Sequence, residues 1–488
     1  MGTVERRKLA PGLEISRVLT GLWQIADMER EGATVDPELT ADAMEPYVAS
    51  GFTTFDMADH YGSSEQVVGA FRSRVGNEGR AELFTKWVPK PGPVSREDVR
   101  AAVERALERM RGEALDLLQF HAWAYGDPAW LDALFHLQEL KEEGLIRHLG
   151  LTNFDSAHLA MVCDSGIDVV TNQVSCSLLD RRASRDMARV CRKHGVHLLA
   201  YGTVAGGLLT EAWLGRREPA ARELGTWSQM KYKRFVEAAG GWVAFQQLLH
   251  ALRDVSLKHR VSMANVACRY VLEEPAVAGI IIGARLGRSD HLADNLRVFD
   301  FTLDEEDRAC LAPALVALGF PPGDCGDEYR KPPYLTAAGD LSDHVDAFPP
   351  PYPVVQGPGA RRRVLSGTIW EDVAGFSRAT RVGDRILVSG TTATHGDRVI
   401  GGSDPASQAH FCLDKIEGAL RSLGGRMEDV VRTRVYVRHM DLWESVSRAH
   451  GARFGHIQPA NTLIQAGIIG DEYLVEMEAE AVVGSSGP

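Results

Sequence analysis

The 488-residue chain is too long for one compact core, so two or three domains of roughly 150 residues are expected, or two if one is an α/β barrel of about 250 residues. Its 44% hydrophobic and 25% charged residues are ordinary for a soluble globular protein, and 54 Lys+Arg against 66 Asp+Glu leave a net charge of −12, which argues against a nucleic-acid partner. No apolar run reaches membrane-spanning length, the opening MGTVERRKLAPG lacks a signal-peptide core, and seven cysteines without a Cys-x-x-Cys pair read as reduced thiols, with no metal site and a cytoplasmic setting.

In chain order, the apolar runs that read as strands are Val18–Ile25, Thr53–Asp56, Leu83–Lys86, Leu115–Phe120, Arg147–Leu151, Val169–Gln173, His197–Tyr201 and Gly279–Ile282. Amphipathic stretches separate them, among them Arg96–Gly112, which opens on Ser95 as a capping residue. Eight strands alternating with helices predict an α/β fold of the (β/α)8 TIM-barrel kind. A doubly wound sheet is the competitor, but no Gly-x-Gly-x-x-Gly turn follows the first strand. The long connection Thr210–Gly241, with Trp213, Trp227 and Tyr232, has the length of a lid.

Ten of the 22 prolines then fall between Pro313 and Pro358. Proline fixes φ and removes a donor, so 313–365 reads as an extended connector between domains at 1–312 and 366–488, closed by the solvated run Arg361–Arg363. Within it, Asp324, Cys325, Asp327 and Glu328 fit no familiar ligand spacing, and a turn with a docked cysteine is the better reading. Beyond the connector, strands are expected at Arg385–Gly390, Val430–Arg438 and Tyr473–Val483, and helices at Pro405–Leu423 and Leu442–Phe454, which together predict a smaller α+β domain.

A TIM barrel carries its working groups at the C-terminal ends of its strands. Asp56, Lys86, His121, Asn153, Gln173 and Tyr201 close successive strands there, and Tyr61 follows Asp56 within Gly51–Gly62. A tyrosine of ordinary pKa, about 10, is a poor proton donor at neutral pH. A neighbouring Lys86 ammonium would favour its phenolate, Asp56 would hold Lys86, and His121 would reach the same substrate oxygen. That set can protonate a carbonyl oxygen while hydride arrives at carbon. Trp23, Trp87 and Trp123, each near a strand end, suggest an aromatic pocket wall.

These motifs resemble the aldo-keto reductase superfamily over about residues 1–310. The resemblance rests on the tetrad and on Gly150–Phe154, Thr171–Arg181 and Ala200–Leu209. It implies that Thr152, Asn153 and Gln173 hold a nicotinamide carboxamide and that Tyr201 stacks on the ring, with Gly202 and Leu208 beside it. In Ile280–Leu303, Gly283 would bind the cofactor and Arg285 would grip its 2′-phosphate, with Asp294 and Asn295 on the adenine side. His291 stands where many members carry a second Arg. NADPH/NADP is thereby preferred through Arg285, and NAD stays open.

Val373–Ala393, Ala419–Met440 and the segment from Gln458 onward resemble the Rid (YjgF-like) family, over about 365–484. The resemblance implies a chorismate-mutase-like α+β fold, usually trimeric, whose active members hydrolyse enamines and imines between subunits. Here Asn461 replaces the Arg that binds the substrate carboxylate, Phe376 replaces a common Tyr, and Glu476 is retained. Loss of that Arg removes the charge needed for amino-acid-derived imines.

The leading expectation is therefore an NAD(P)H-dependent reductase of a small aldehyde or ketone, fused to a domain for assembly or small-ligand binding. A homo-oligomer is expected, with a trimer through the C-terminal domain as one form. Coupled imine or enamine processing and a non-catalytic NADPH-binding redox sensor are the alternatives.

Overall fold

The computed structural model describes residues 3–29, 33–74, 76, 79–288, 291–331 and 348–487. A hairpin, β1 (Arg6–Ala10) and β2 (Leu13–Ser16), precedes eight parallel strands: β3 (Val18–Gly21), β4 (Thr54–Asp56), β5 (Glu82–Trp87), β6 (Leu117–His121), β7 (Leu149–Thr152), β8 (Val169–Ser175), β9 (His197–Tyr201) and β10 (Val277–Gly283). β10 pairs with both β9 and β3, which closes a (β/α)8 barrel.

The strands are apolar on both faces because helices cover the outside and side chains fill the inside. In β6, Leu118 and Phe120 join the core around the barrel, while Leu117, Gln119 and His121 occupy the other face. Leu9, Leu13 and Ile15 of the hairpin pack on Leu19, Phe84, Leu117, Leu199 and Ala278 and plug the barrel floor.

The strand expected over Val18–Ile25 stops at Gly21, and Trp23–Met28 is helical. The reason is a change of period: Leu22, Ile25 and Met28 recur every three residues and are all buried. Ser95 caps the helix Arg96–Arg109 through a capping box with Asp98, as its position implied.

The connector departs furthest from expectation. Pro313 lies inside the helix Glu305–Leu318, whose Leu311, Ala314 and Leu318 bury against the helix Gly241–His259. Tertiary packing outweighs the hydrogen bond that proline forfeits. Residues 332–347, the middle of the expected connector, lie outside the described residues. Past them, β11 (Val354–Gln356) and β12 (Arg362–Val364) are strands, so most of the run Arg361–Arg363 is sheet and Arg362 donates to Leu423 O. Prolines here flank the strands and do not interrupt their ladders, which leaves the pairing donors in place.

The sheet continues with β13 (Ala379–Val382), β14 (Arg385–Thr392), β17 (Val430–Val437), β18 (Ala460–Gln465) and β19 (Val475–Val482), in the order β11-β12-β13-β14-β19-β17-β18. A two-residue pair, β15 (Thr394–His395) and β16 (Arg398–Val399), lies between. Helices Pro405–Ser422 and Trp443–Phe454 cover one face. The former also packs against the barrel helix Ser156–Asp164, so the two domains share a core.

Candidate active site

At the C-terminal end of the barrel a cavity of about 620 Å³ runs from Trp23, Asp56 and Lys86 to Arg285 and Asn295. Asp56 ends β4 and Lys86 lies near the end of β5, both on inward-facing positions. Their charges meet, Lys86 Nζ to Asp56 Oδ2 at 2.7 Å, with both side chains 4% exposed. Lys86 also donates to Met57 O at 2.9 Å. Asp56 Oδ1 accepts from Gln119 Nε2 at 3.1 Å and Gln173 Nε2 at 2.8 Å, so the carboxylate is held from both sides. Burial lowers the Lys86 pKa, and Asp56 works against that shift.

The Tyr61 ring centroid lies 4.9 Å from Lys86 Nζ, and Trp23 meets Tyr61 edge-on at 4.9 Å. His121 sits across the mouth. Its Nδ1 faces Thr152 O at 3.2 Å and must donate, because a carbonyl only accepts. Burial first, then the Arg330 charge, holds the His121 pKa well below the usual value. The ring is thus neutral, and Nε2, buried and without a hydrogen-bond partner among the described residues, presents a lone pair.

Thr152, Asn153, Gln173, Tyr201 and Gly202 line the cavity, as do Gly283, Arg285, His291, Asp294 and Asn295. Asn153 takes a left-handed φ of 60° at the end of β7, and its Oδ1 accepts from Tyr201 OH at 2.7 Å. Arg285 pairs with Asp27 at 3.0 Å and reaches Gln24. Asp294 accepts from Ser262 and Asn265.

Two expected residues stand elsewhere. Trp87 packs on Phe120 in the surrounding core, because successive strand residues face opposite ways and Lys86 takes the inward one. Leu208 is fully buried in the core beneath the helix Trp227–Ala238 and does not line the cavity. Trp23 and Trp123 do line it.

Several lining groups come from segments whose chemistry the sequence left unassigned. From the expected lid, the helix Trp227–Ala238 contributes Trp227, Lys231 and Tyr232. From the connector, the turn at 324–330 contributes Tyr329. Arg182 fastens that turn through Glu328 at 2.9 Å and Asp324 O at 2.7 Å, and Arg330 donates to Asn153 O at 2.6 Å. Cys325 is buried within this turn, and among the described residues no His, Cys, Asp or Glu group could hold a metal.

In the C-terminal domain, Asn461 Nδ2 donates to Thr433 Oγ1 on the helix-covered side of the sheet. Glu476 lies on the opposite face, beside Gly390, with burial raising its pKa. Arg378 lies over the Phe376 ring and donates to Gly390 O and Thr391 Oγ1, bracing the bulge in β14. The three expected residues are not gathered into one site within a chain.

Residues 17–313 match the model described as Aldo/keto reductase family, more than half of the chain. The chain belongs to the aldo/keto reductase family. This aldo/keto reductase is an oxidoreductase of carbonyl compounds. Its residues 370–483 match a second model, described as Endoribonuclease L-PSP, which is the Rid-like domain.

Over 311 residues the reductase is 27% identical to Protein tas of Escherichia coli, covering 55% of this chain and 87% of that one. It is 22% identical over 328 residues to the NADH-specific methylglyoxal reductase of the same organism, covering 63% and 96%. A 127-residue stretch is 40% identical to an uncharacterized protein of Streptomyces coelicolor, covering 26% and 95%. Among solved structures, a glycerol dehydrogenase from Gluconobacter oxydans shares the fold with a TM-score of 0.52 at 23% identity, covering 66% and 98%. No helix among the described residues is long and apolar enough to cross a membrane.

Proposed function

We propose that the barrel reduces an aldehyde or ketone with a reduced nicotinamide dinucleotide, NADPH by preference. The observation that carries this is the buried Lys86–Asp56 pair against Tyr61, opposite the unpartnered Nε2 of His121, in one cavity that extends to Arg285. The cavity volume suits such a ligand. Thr152, Asn153, Gln173 and Tyr201 would hold its nicotinamide end, Arg285 its 2′-phosphate, and Asn295 its adenine side. When bound, it supplies the hydride that the carbonyl carbon accepts.

The chain's own part is proton delivery. Tyr61 donates its hydroxyl proton to the carbonyl oxygen, and the Lys86 ammonium, fixed by Asp56, stabilises the phenolate left behind. Neutral His121 cannot donate through Nε2, so it accepts from a hydroxyl, that of Tyr61 or of the product alcohol. Trp23 and Trp123 wall the substrate side. Tyr61→Phe should lower kcat by 100-fold or more in a nicotinamide-absorbance assay, the scale of a lost general acid. Carbonyl reduction at the wild-type rate would defeat the assignment, and tight NADPH binding without turnover on a broad carbonyl panel would favour the sensor reading.

The Rid-like domain, on this reading, assembles the protein. One face of its sheet carries both helices, while Val382 and Leu387 on the other are 48% and 46% exposed. A head-to-tail contact between neighbouring copies there, closing into a trimer, is read out by light scattering on the full chain.

A further inference from the structure

Beyond residue 313, where the match to the reductase family ends, the chain returns to the barrel mouth. Strands β6 and β7 pair in parallel as far as His121 and Thr152, and past them the ladder stops. The next carbonyl on each chain segment, that of Ala122 and that of Asn153, has lost its ladder donor and needs another. Arg330 supplies both. Its Nη1 donates to Asn153 O at 2.6 Å and to Gly326 O at 3.1 Å, and its Nη2 donates to Ala122 O. The guanidinium carbon lies 4.3 Å from the centroid of the Tyr125 ring, which is itself stacked on His158 with centroids 3.4 Å apart.

Both carbonyls belong to segments that carry the site. Asn153 sits at a left-handed φ of 60°, a conformation that asparagine visits but that must be held. Its N–H donates to Gln173 O at 2.8 Å, its side chain accepts from Tyr201, and Arg330 takes its carbonyl. The turn presses so close that a Cβ on Gly326 would lie 1.9 Å from Asn153 O. Ala122 directly follows His121, which donates to Thr152 O across the same pair of strands. A planar fork that grips two carbonyls fixes the distance between them, which the point charge of a lysine does not. Arg330 does not itself line the cavity, so it acts through these strand ends. We propose that Arg330 is a positioning residue, whose fork keeps the groups at the nicotinamide end, Thr152 and Asn153, in register with His121 at the substrate oxygen. The proposal rests on the reductase reading above and adds to it a residue of the connector, outside the family match.

The test separates the two ends of the cofactor on the full chain. NADPH and adenosine 2′,5′-bisphosphate, which lacks the nicotinamide half, are titrated calorimetrically beside steady-state reduction of a carbonyl that wild type turns over. Arg330→Met should lower kcat at least tenfold, the scale of a misplaced reacting group. It should weaken NADPH at least tenfold, about 1.4 kcal/mol, while bisphosphate affinity stays within about twofold of wild type. Retained bisphosphate binding also shows that the variant is folded. Arg330→Lys, which keeps the charge but not the fork, should resemble Arg330→Met. Wild-type NADPH affinity and kcat in Arg330→Met would overturn the proposal and leave the reductase reading intact. So would wild-type behaviour of Arg330→Lys, since charge alone would then suffice, or an equal loss of both ligands, which marks a general disturbance of the barrel. A wild-type chain that neither binds NADPH nor reduces any carbonyl would instead remove the reductase reading and the proposal with it.

Discussion

At the residue scale the decisive feature is how Asp56 divides its acceptors. It serves one ammonium, at 2.7 Å, and two neutral amides, from Gln119 and Gln173. These partners differ in what their loss costs. Removing the carboxylate strands a buried ammonium, a change worth about 3–5 kcal/mol in buried pairs, whereas deleting one amide donor costs about 1 kcal/mol. Burial already lowers the Lys86 pKa and Asp56 works against that shift, so Asp56→Asn should push it further down. Asp56→Asn is therefore expected to lower kcat by about 100-fold or more and to cut the melting temperature. Gln119→Leu should keep most of both. Steady-state kinetics and calorimetry on the two variants check the contrast, and similar losses in both would mean that the charge is not the operative feature.

At the element scale the domains meet through helices, and the closest approach needs two glycines. A Cβ on Gly418 would lie 2.2 Å from Gly126 O and 2.9 Å from the Tyr352 ring. Gly418→Ala must therefore lever the helix Pro405–Ser422 off the barrel loop, an overpacking cost of about 1–3 kcal/mol. Faster proteolysis after Leu318 in this variant would report it, and unchanged protection would show that the loop yields freely. The barrel strands were legible because each is a buried run between amphipathic helices, and Asp56, Lys86 and His121 could be placed together because they stand at or near the ends of those runs. Strands β11, β12, β13 and β18 were not. β11, β12 and β13 are only three or four residues long, and β18 is almost wholly exposed, so no alternation marks it. Trp87 was misplaced because nearness to a strand end says nothing of which face a residue takes. Lys231 and Tyr329 could not be read at all, since pairs such as Arg182–Glu328, distant in sequence, set where their segments lie.

At the scale of the whole molecule, the interface is buried and charged. His158 of the barrel lies between Asp155 at 2.7 Å and Asp414 of the Rid-like domain at 2.9 Å, with Tyr125 stacked on its ring and Arg453 on the far side of Asp414. Both ring nitrogens face carboxylates, so the imidazolium is the form that fits. Burial works to lower the His158 pKa, but Asp155 and Asp414 outweigh it and push it up to about 9. A folded pKa above the unfolded value of 6.5 contributes stability that is complete below pH 6.5 and is lost as pH rises through about 9. His410, burial-lowered to about 4, titrates on the acid side and leaves the alkaline limb to His158. Cysteine and tyrosine titrations at high pH are common to wild type and variant, so the difference between them isolates this group. Thermal melts from pH 6 to 10 should show wild type converging on His158→Gln as pH rises past 9, with the widest gap at the acid end of the range. A gap independent of pH would mean that His158 is not charged at the interface. Because Asp155 also caps the helix that follows Thr152 and Asn153, the same titration should loosen the wall of the proposed nicotinamide site. NADPH affinity is accordingly expected to weaken in parallel with the interface above pH 9 in wild type, and not in His158→Gln.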